Sequence, residues 1–215
     1  KQLWIGISIG VAASVLLFFS WQMFDRTAPV PVNQPIVAFT ASSQSQEVLL
    51  STGDGRMVSL SAPQADSLLR ETGITRGEEE LDYQQTIRET EIHTLTTPRC
   101  GAYQLRLADG TQVWLNAESR LKYPSRFTGE QRVVELEGEG YFKVTPDSQR
   151  PFIVKSGDIT TEVLGTEFNV RTYVPDDLHV TLLKGSVKVK NKDSYSEVVI
   201  QPGEDAHLQG DGTFN

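Results

Sequence analysis

Glu135, Glu137 and Glu139 form the row of side chains best suited by type and spacing to acid–base work. Paired carboxylates can divide the general-acid and general-base roles, as in glycoside hydrolysis. Alternate residues of one strand share a face but stand only ~6.6 Å apart, and such a face normally meets solvent. Catalysis by this row is therefore not assigned. Glu139 differs from the other two because Gly138 and Gly140 flank it and Tyr141-Phe142 follow. It is expected to accept hydrogen bonds from backbone N–H groups of a neighbouring turn, which is a structural duty.

The remaining chemistry-bearing residues are sparse. His93, His179 and His207 are far apart and show no metal-ligand spacing, although a fold can gather distant residues. The acidic stretch 77–82, GEEELD, lacks the ligand spacing of a calcium loop and reads as a solvated loop or strand tip. Cys100 is the single cysteine, which excludes an intrachain disulfide, and no histidine or basic cluster near it in sequence would activate the thiol. There is no phosphate-binding glycine loop. No catalytic, cofactor-binding or metal-binding residue is assigned, and no enzyme activity or cofactor is expected. The net charge of −8 opposes nucleic acid as a partner, because binding phosphates needs a basic surface.

The elements that position these residues are short strands. Residues 103–116, YQLRLADGTQVWLN, alternate apolar and polar on both sides of Asp109-Gly110. A three-residue Ala108-Asp109-Gly110 loop puts Leu105 opposite Val113 and Tyr103 opposite Leu115, so the small apolar side chains share one face. Trp114 then points to the other face, to pack in a second layer or to serve as a contact. Residues 48–60, VLLSTGDGRMVSL, repeat the pattern, with Leu50, Val58 and Leu60 aligned on Leu105, Val113 and Leu115. A two-turn helix is expected within 61–72, with Ser61 as cap and Gly73 as its end. From Thr94 onward the sequence is a series of short strands with turns at Lys184-Gly185 and Pro202-Gly203. In the stretch 132–144, Val134, Leu136, Phe142 and Val144 share one face, and Val133, Glu135, Glu137, Glu139 and Tyr141 share the other. The expected fold is an all-β domain of stacked short strands, solenoid- or sandwich-like, with one short helix.

The N-terminal part differs in kind. Residues 3–24 carry neither charge nor proline, and at ~1.5 Å per residue a helix there spans the ~30 Å hydrocarbon core. Trp4 and Trp21 lie near its ends, where indole favours the lipid–water interface. Bulky Trp21, Met23 and Phe24 sit where a signal peptide would need small residues, so a retained anchor over 1–26 is expected. The stretch 27–46, with Pro29, Pro31, Pro35 and then SSQSQ, reads as a spacer, with strand-forming residues in 35–40. Residues 47–96 form a β/helix segment and residues 97–215 the main β domain.

The order of motifs in the second half is specific. Thr97-Pro98-Arg99, LADGTQVWLNAESRLKYP, RVVELEGEGYFKV, RPFIVKSGDITTEVLGTEFNV, GSVKV and QPGEDA follow one another through roughly 96–206. This series resembles the FecR family of anti-sigma regulators in cell-surface signalling. The resemblance implies a single-pass inner-membrane protein with its β domain in the periplasm. It implies a cytoplasmic N-terminal domain that holds an extracytoplasmic-function sigma factor. It also implies a periplasmic side that senses the signalling domain of an outer-membrane TonB-dependent transporter, through a small C-terminal α/β domain. Regulated proteolysis commonly releases the sigma factor in this family. The sequence departs from that plan at both ends: the sigma-binding part is not seen before Lys1, and the transporter-contacting domain is not seen before Asn215. The rival reading is a membrane-tethered periplasmic domain that binds a glycan or wall component.

A proline-rich spacer transmits rigid-body motion poorly, so cleavage or local unfolding suits a switch better than a piston. The region between Asp25 and Gln46 is therefore expected to be cut by protease in at least one signalling state. Limited proteolysis of the membrane-embedded protein checks this, and sparing of the region in both resting and partner-bound states would count against it.

Overall fold

A computed structural model describes residues 47–71, 73–77, 80–83, 90–174 and 177–215. The expected anchor in 3–24 and the spacer in 27–46 lie outside the described residues. No helix among the described residues is long and apolar enough to cross a membrane.

The described chain is mostly β, with one short helix. It begins with the hairpin β1 (Leu49–Ser51) and β2 (Met57–Ser59), the helix α1 (Ala65–Glu71), then β3 (Thr75–Arg76) and β4 (Glu80–Asp82). Next come β5 (Ile92–Thr96), β6 (Tyr103–Arg106), β7 (Gln112–Leu115), β8 (Arg120–Pro124), β9 (Arg132–Glu137) and β10 (Glu139–Lys143). They are followed by β11 (Phe152–Ser156), β12 (Ile159–Val163), β13 (Glu167–Arg171) and β14 (His179–Lys184). The last three are β15 (Val187–Asn191), β16 (Glu197–Ile200) and β17 (Asp205–His207).

These strands build a nine-stranded sheet, β16-β15-β12-β11-β9-β8-β5-β1-β2, and an eight-stranded sheet, β17-β14-β13-β10-β7-β6-β4-β3. The chain changes sheet after every one or two strands. One apolar core lies between the sheets, and Phe142 of β10 meets Phe152 of β11 across it at 6.2 Å between ring centroids. Leu50 and Leu121 from one sheet and Leu105, Val113 and Phe168 from the other are wholly buried in it. Most strand pairs are antiparallel, but β9–β11 and β4–β6 are parallel. The stretch read as a loop or strand tip at 77–82 contributes β4, with Leu81 in the core.

The hairpin register is the three-residue one: Leu105 opposes Val113 and Tyr103 opposes Leu115. Gly110 sits at φ 83°, and its N–H donates to Leu107 O at 2.8 Å. The β1–β2 hairpin has the same turn, with Gly55 at φ 84° and Leu50 opposite Val58. A third copy, unexpected from the sequence, closes at Gln209-Gly210-Asp211-Gly212-Thr213, with Gly212 at φ 82°. In each copy the aspartate accepts from the backbone N–H just past the glycine: Arg56, Thr111 and Thr213. The helix is shorter than expected. Ser61 does not cap it, and its hydroxyl lies 2.9 Å from that of Ser59. Gly73, at φ 75°, ends the helix, and Ile74 N–H returns to Leu69 O at 3.0 Å.

The stretch 132–144 is two strands rather than one. At Gly138 (φ 93°) the chain passes from β9 in one sheet to β10 in the other. Ser119 and Thr172 hold this crossing. Glu139 N–H donates to Ser119 Oγ at 2.9 Å, and Gly138 N–H donates to Thr172 Oγ1 at 3.0 Å. A Cβ on Gly138 would stand 2.8 Å from both Cα and Cβ of Ser119.

Gly138→Ala combines a left-handed backbone with that overlap and is expected to cost about 2–4 kcal/mol. Gly157, at φ 58° with open space around it, provides the comparison, and Gly157→Ala should cost about 1 kcal/mol. Urea denaturation of the two variants checks the difference; equal losses would mean that the Ser119 contact is not limiting.

Candidate functional site

The crossing at Gly138 disperses the expected carboxylate row. Glu135 and Glu137 lie on the outer face of the nine-stranded sheet, where they pair with Lys122 at 3.2 Å and Arg120 at 3.5 Å. Glu139 lies on the outer face of the eight-stranded sheet. Its partners are side-chain amides rather than backbone N–H groups: Asn116 Nδ2 at 2.8 Å and Asn169 Nδ2 at 3.0 Å. The structural duty expected of Glu139 is present, with different donors.

The outer face of the eight-stranded sheet gathers most of the remaining polar chemistry. Strand register lays out two adjacent rows. One runs Trp114, Tyr141, Asn169, Thr181, Asp205 across β7, β10, β13, β14 and β17. The other runs Glu139, Arg171, His179, His207 across β10, β13, β14 and β17. Trp114 is half-buried and contacts Tyr141 with ring centroids 5.3 Å apart. Burial, with Glu167 close by, raises the Tyr141 hydroxyl above its ordinary range. At the other end of the face, His179 and His207 stack with centroids 4.0 Å apart. They are 28 positions apart in sequence, and only the β14–β17 pairing makes them neighbours. Asp177 lies beside both, with Oδ1 3.2 Å from each Nε2. Burial works against ionisation of Asp177, but His179, Arg171 and His207 outweigh it and hold the carboxyl below its usual range.

His93 has a different environment. It is buried with Tyr83 and Tyr123 in the core. Tyr83 Oη lies 2.7 Å from His93 Nδ1 and 2.9 Å from Tyr123 Oη, while His93 Nε2 faces Glu91 at 3.4 Å. A neutral ring with its proton on Nε2 satisfies this chain: Tyr83 donates to Nδ1, and Tyr123 donates to Tyr83. Cys100 is exposed in the turn closed by Gly101 N–H on Pro98 O.

The fold and this outer face can be set beside known proteins. Residues 93–188 match the family described as FecR protein. Over these residues the chain is similar to that family. The FecR match runs from His93 in β5 to Lys188 in β15, so it includes Glu139, Asp177 and His179 but not His207. Two crystal structures of a candidate anti-sigma factor from Parabacteroides distasonis ATCC 8503 are similar. One has 33% identity and a TM-score of 0.53, covering 57% of this chain and 57% of that chain. The other has 32% identity and a TM-score of 0.54, covering 58% of each. The chain thus matches somewhat over half the length of those structures. No curated relative matches it.

Burial lowers the His93 pKa below its ordinary value, against the opposing pull of Glu91. The unfolded chain then binds the extra proton more readily than the fold does. The stabilising contribution is complete above the unfolded value near ~6.5 and is lost as pH falls through the depressed folded value. Chemical denaturation between about pH 8 and pH 5 should show falling stability, with a shallower slope in His93→Gln. Identical slopes in the two proteins would remove His93 as a source.

Proposed function

We propose that this protein is a sigma-factor regulator: a single-pass inner-membrane anti-sigma factor. It relays a signal from an outer-membrane TonB-dependent transporter to an extracytoplasmic-function sigma factor. The observation that carries this reading is the FecR match over residues 93–188, joined to 32–33% identity with solved candidate anti-sigma factors. In this reading residues 1–26 are the membrane anchor and 27–46 the spacer. Residues 47–96 and 97–215 make the periplasmic body. The sigma factor is held on the cytoplasmic side, and the transporter's signalling domain is sensed on the periplasmic side. The role is regulatory, so the β body supplies a rigid support rather than a reaction centre.

A second reading, a tethered glycan- or wall-binding domain, draws support from the half-buried Trp114–Tyr141 pair on the outer face of the eight-stranded sheet. Aromatic faces next to amides and carboxylates, here Asn116, Asn169 and Glu139, suit sugar recognition.

The deciding experiment isolates the protein, expressed from its own reading frame, from crosslinked membranes. An extracytoplasmic-function sigma factor should co-purify, and deletion of the gene should change transcription of a transporter operon. Recovery of no sigma factor, together with unchanged transcription, would overturn the relay. Retention on peptidoglycan or oligosaccharide that Trp114→Ala abolishes would favour the second reading.

A further inference from the structure

We propose that Asp177, His179 and His207 form a binding site for a divalent transition metal of the zinc class, on the outer face of the eight-stranded sheet. This site is independent of the sigma-regulator reading.

The donor set is two imidazoles and one carboxylate, each offering one ligand atom, with all three atoms within 4.8 Å of one another. Zinc sites with three protein ligands and one open position are built from this kind of set. The spacing also fits. With Zn–N and Zn–O near ~2.05 Å, the edge of a tetrahedron is about 3.3 Å. Asp177 Oδ1 stands 3.2 Å from His179 Nε2 and 3.2 Å from His207 Nε2. A cation between these atoms would find two of its edges already set. The two rings come from directly opposed residues of β14 and β17 and stack 12° from parallel, so binding tilts them apart to aim both Nε2 lone pairs at one ion.

Hydrogen-bond bookkeeping points the same way. His179 faces two carboxylates: Asp205 Oδ2 at 2.6 Å from Nδ1 and Asp177 Oδ1 at 3.2 Å from Nε2. A neutral imidazole has a single N–H and cannot donate to both. Either a second ring proton or, with the one proton on Nδ1 toward Asp205, a cation between Nε2 and the Asp177 oxygen relieves the conflict. This is the carboxylate–histidine–metal arrangement, in which an outer carboxylate fixes the tautomer of a ligating ring. Asp205 is itself positioned by Thr181, whose hydroxyl donates to Oδ1 at 2.6 Å. Gln209 Nε2 lies 3.2 Å from His207 Nδ1, and with the amide turned over its oxygen accepts the Nδ1 proton and serves as a similar outer partner. Arg171 approaches Oδ2 of Asp177 at 3.6 Å, which leaves Oδ1 toward the imidazoles.

The site is reachable, since the side chains of His179, His207 and Asp177 are 25%, 35% and 41% exposed. It also has a structural effect. Among the described strands β17 ends its sheet, with β14 on one side and the terminal residue Asn215 bonded to His207 on the other, so a metal held by His179 and His207 staples this last hairpin to the body. A ligand that binds only the folded state stabilises it by mass action.

The test uses the untagged protein and zinc alone at about pH 7.5, read by competition with a colorimetric chelator and by thermal unfolding. One zinc per chain should bind, with a raised unfolding temperature, and cobalt should give the visible absorption of a tetrahedral ion. His207→Gln should weaken zinc binding by at least about tenfold and abolish the thermal shift. Asp205→Asn, which touches no metal, should weaken it by about tenfold. The proposal is overturned if no stoichiometric zinc binds, or if binding survives His207→Gln unchanged.

Discussion

The buried pair of Arg132 and Asp109 is the contact on which the two-sheet arrangement turns. Arg132 Nη1 meets Asp109 Oδ2 at 2.7 Å, with the side chains 1% and 7% exposed. The arginine begins β9 in one sheet, and the aspartate sits in the β6–β7 turn of the other. The same guanidinium donates to Thr145 O and Arg150 O, each at 2.9 Å, and lies over the Phe152 ring at 5.5 Å. It therefore fixes the chain both after β10 and before β11. Taking such charges out of water is expensive, and loss of one partner from a pair of this kind costs about 3–5 kcal/mol because the other is left buried and uncompensated. Arg132 Nη2 finds no hydrogen-bond partner among the described residues. The pair is better understood as fixing one packing of the sheets than as a simple gain in stability.

Asp109 also shows how one side chain can act at two levels. Its carboxylate closes its own turn through Thr111 N–H and Oγ1, and it anchors the arginine of the facing sheet. Asp54 and Asp211 close equivalent turns, but Asp54 pairs instead with nearby Arg56 at the surface. The local turn chemistry recurs three times, and one copy carries the long-range contact.

That division explains what the sequence disclosed. Alternation and the Asp-Gly turns gave the 103–116 hairpin its register and gave 48–60 its likeness to it, because both are local facts. In 132–144 the alternation correctly separated inward Val134, Leu136 and Phe142 from outward Glu135, Glu137 and Glu139. It had no means of showing that a sandwich has two outsides. The change of sheet at Gly138 preserves the in–out parity and moves Glu139 to the opposite face. The parallel pairs β4–β6 and β9–β11 join strands that are not consecutive, so no turn residue announces them. His179 and His207 became neighbours through one strand pairing, and no spacing rule could have given that. The motif Gln209-Gly210-Asp211-Gly212-Thr213 was legible, since it repeats the turn already recognised at Asp109-Gly110, but it lay beyond the last strand that alternation could identify.

The route of the chain through its two sheets has a mechanical consequence. The strands entered first, β1 to β3, lie at one end of both ladders, and β16 and β17 lie at the other. Tension applied between Glu47 and Asn215 therefore runs along the ladders, in the direction of their hydrogen bonds, rather than along the strands. Under such a load the bonds part a strand at a time from the ends, instead of resisting together in shear. Yielding would begin at the short terminal strands, while the Arg132–Asp109 clamp in the middle held.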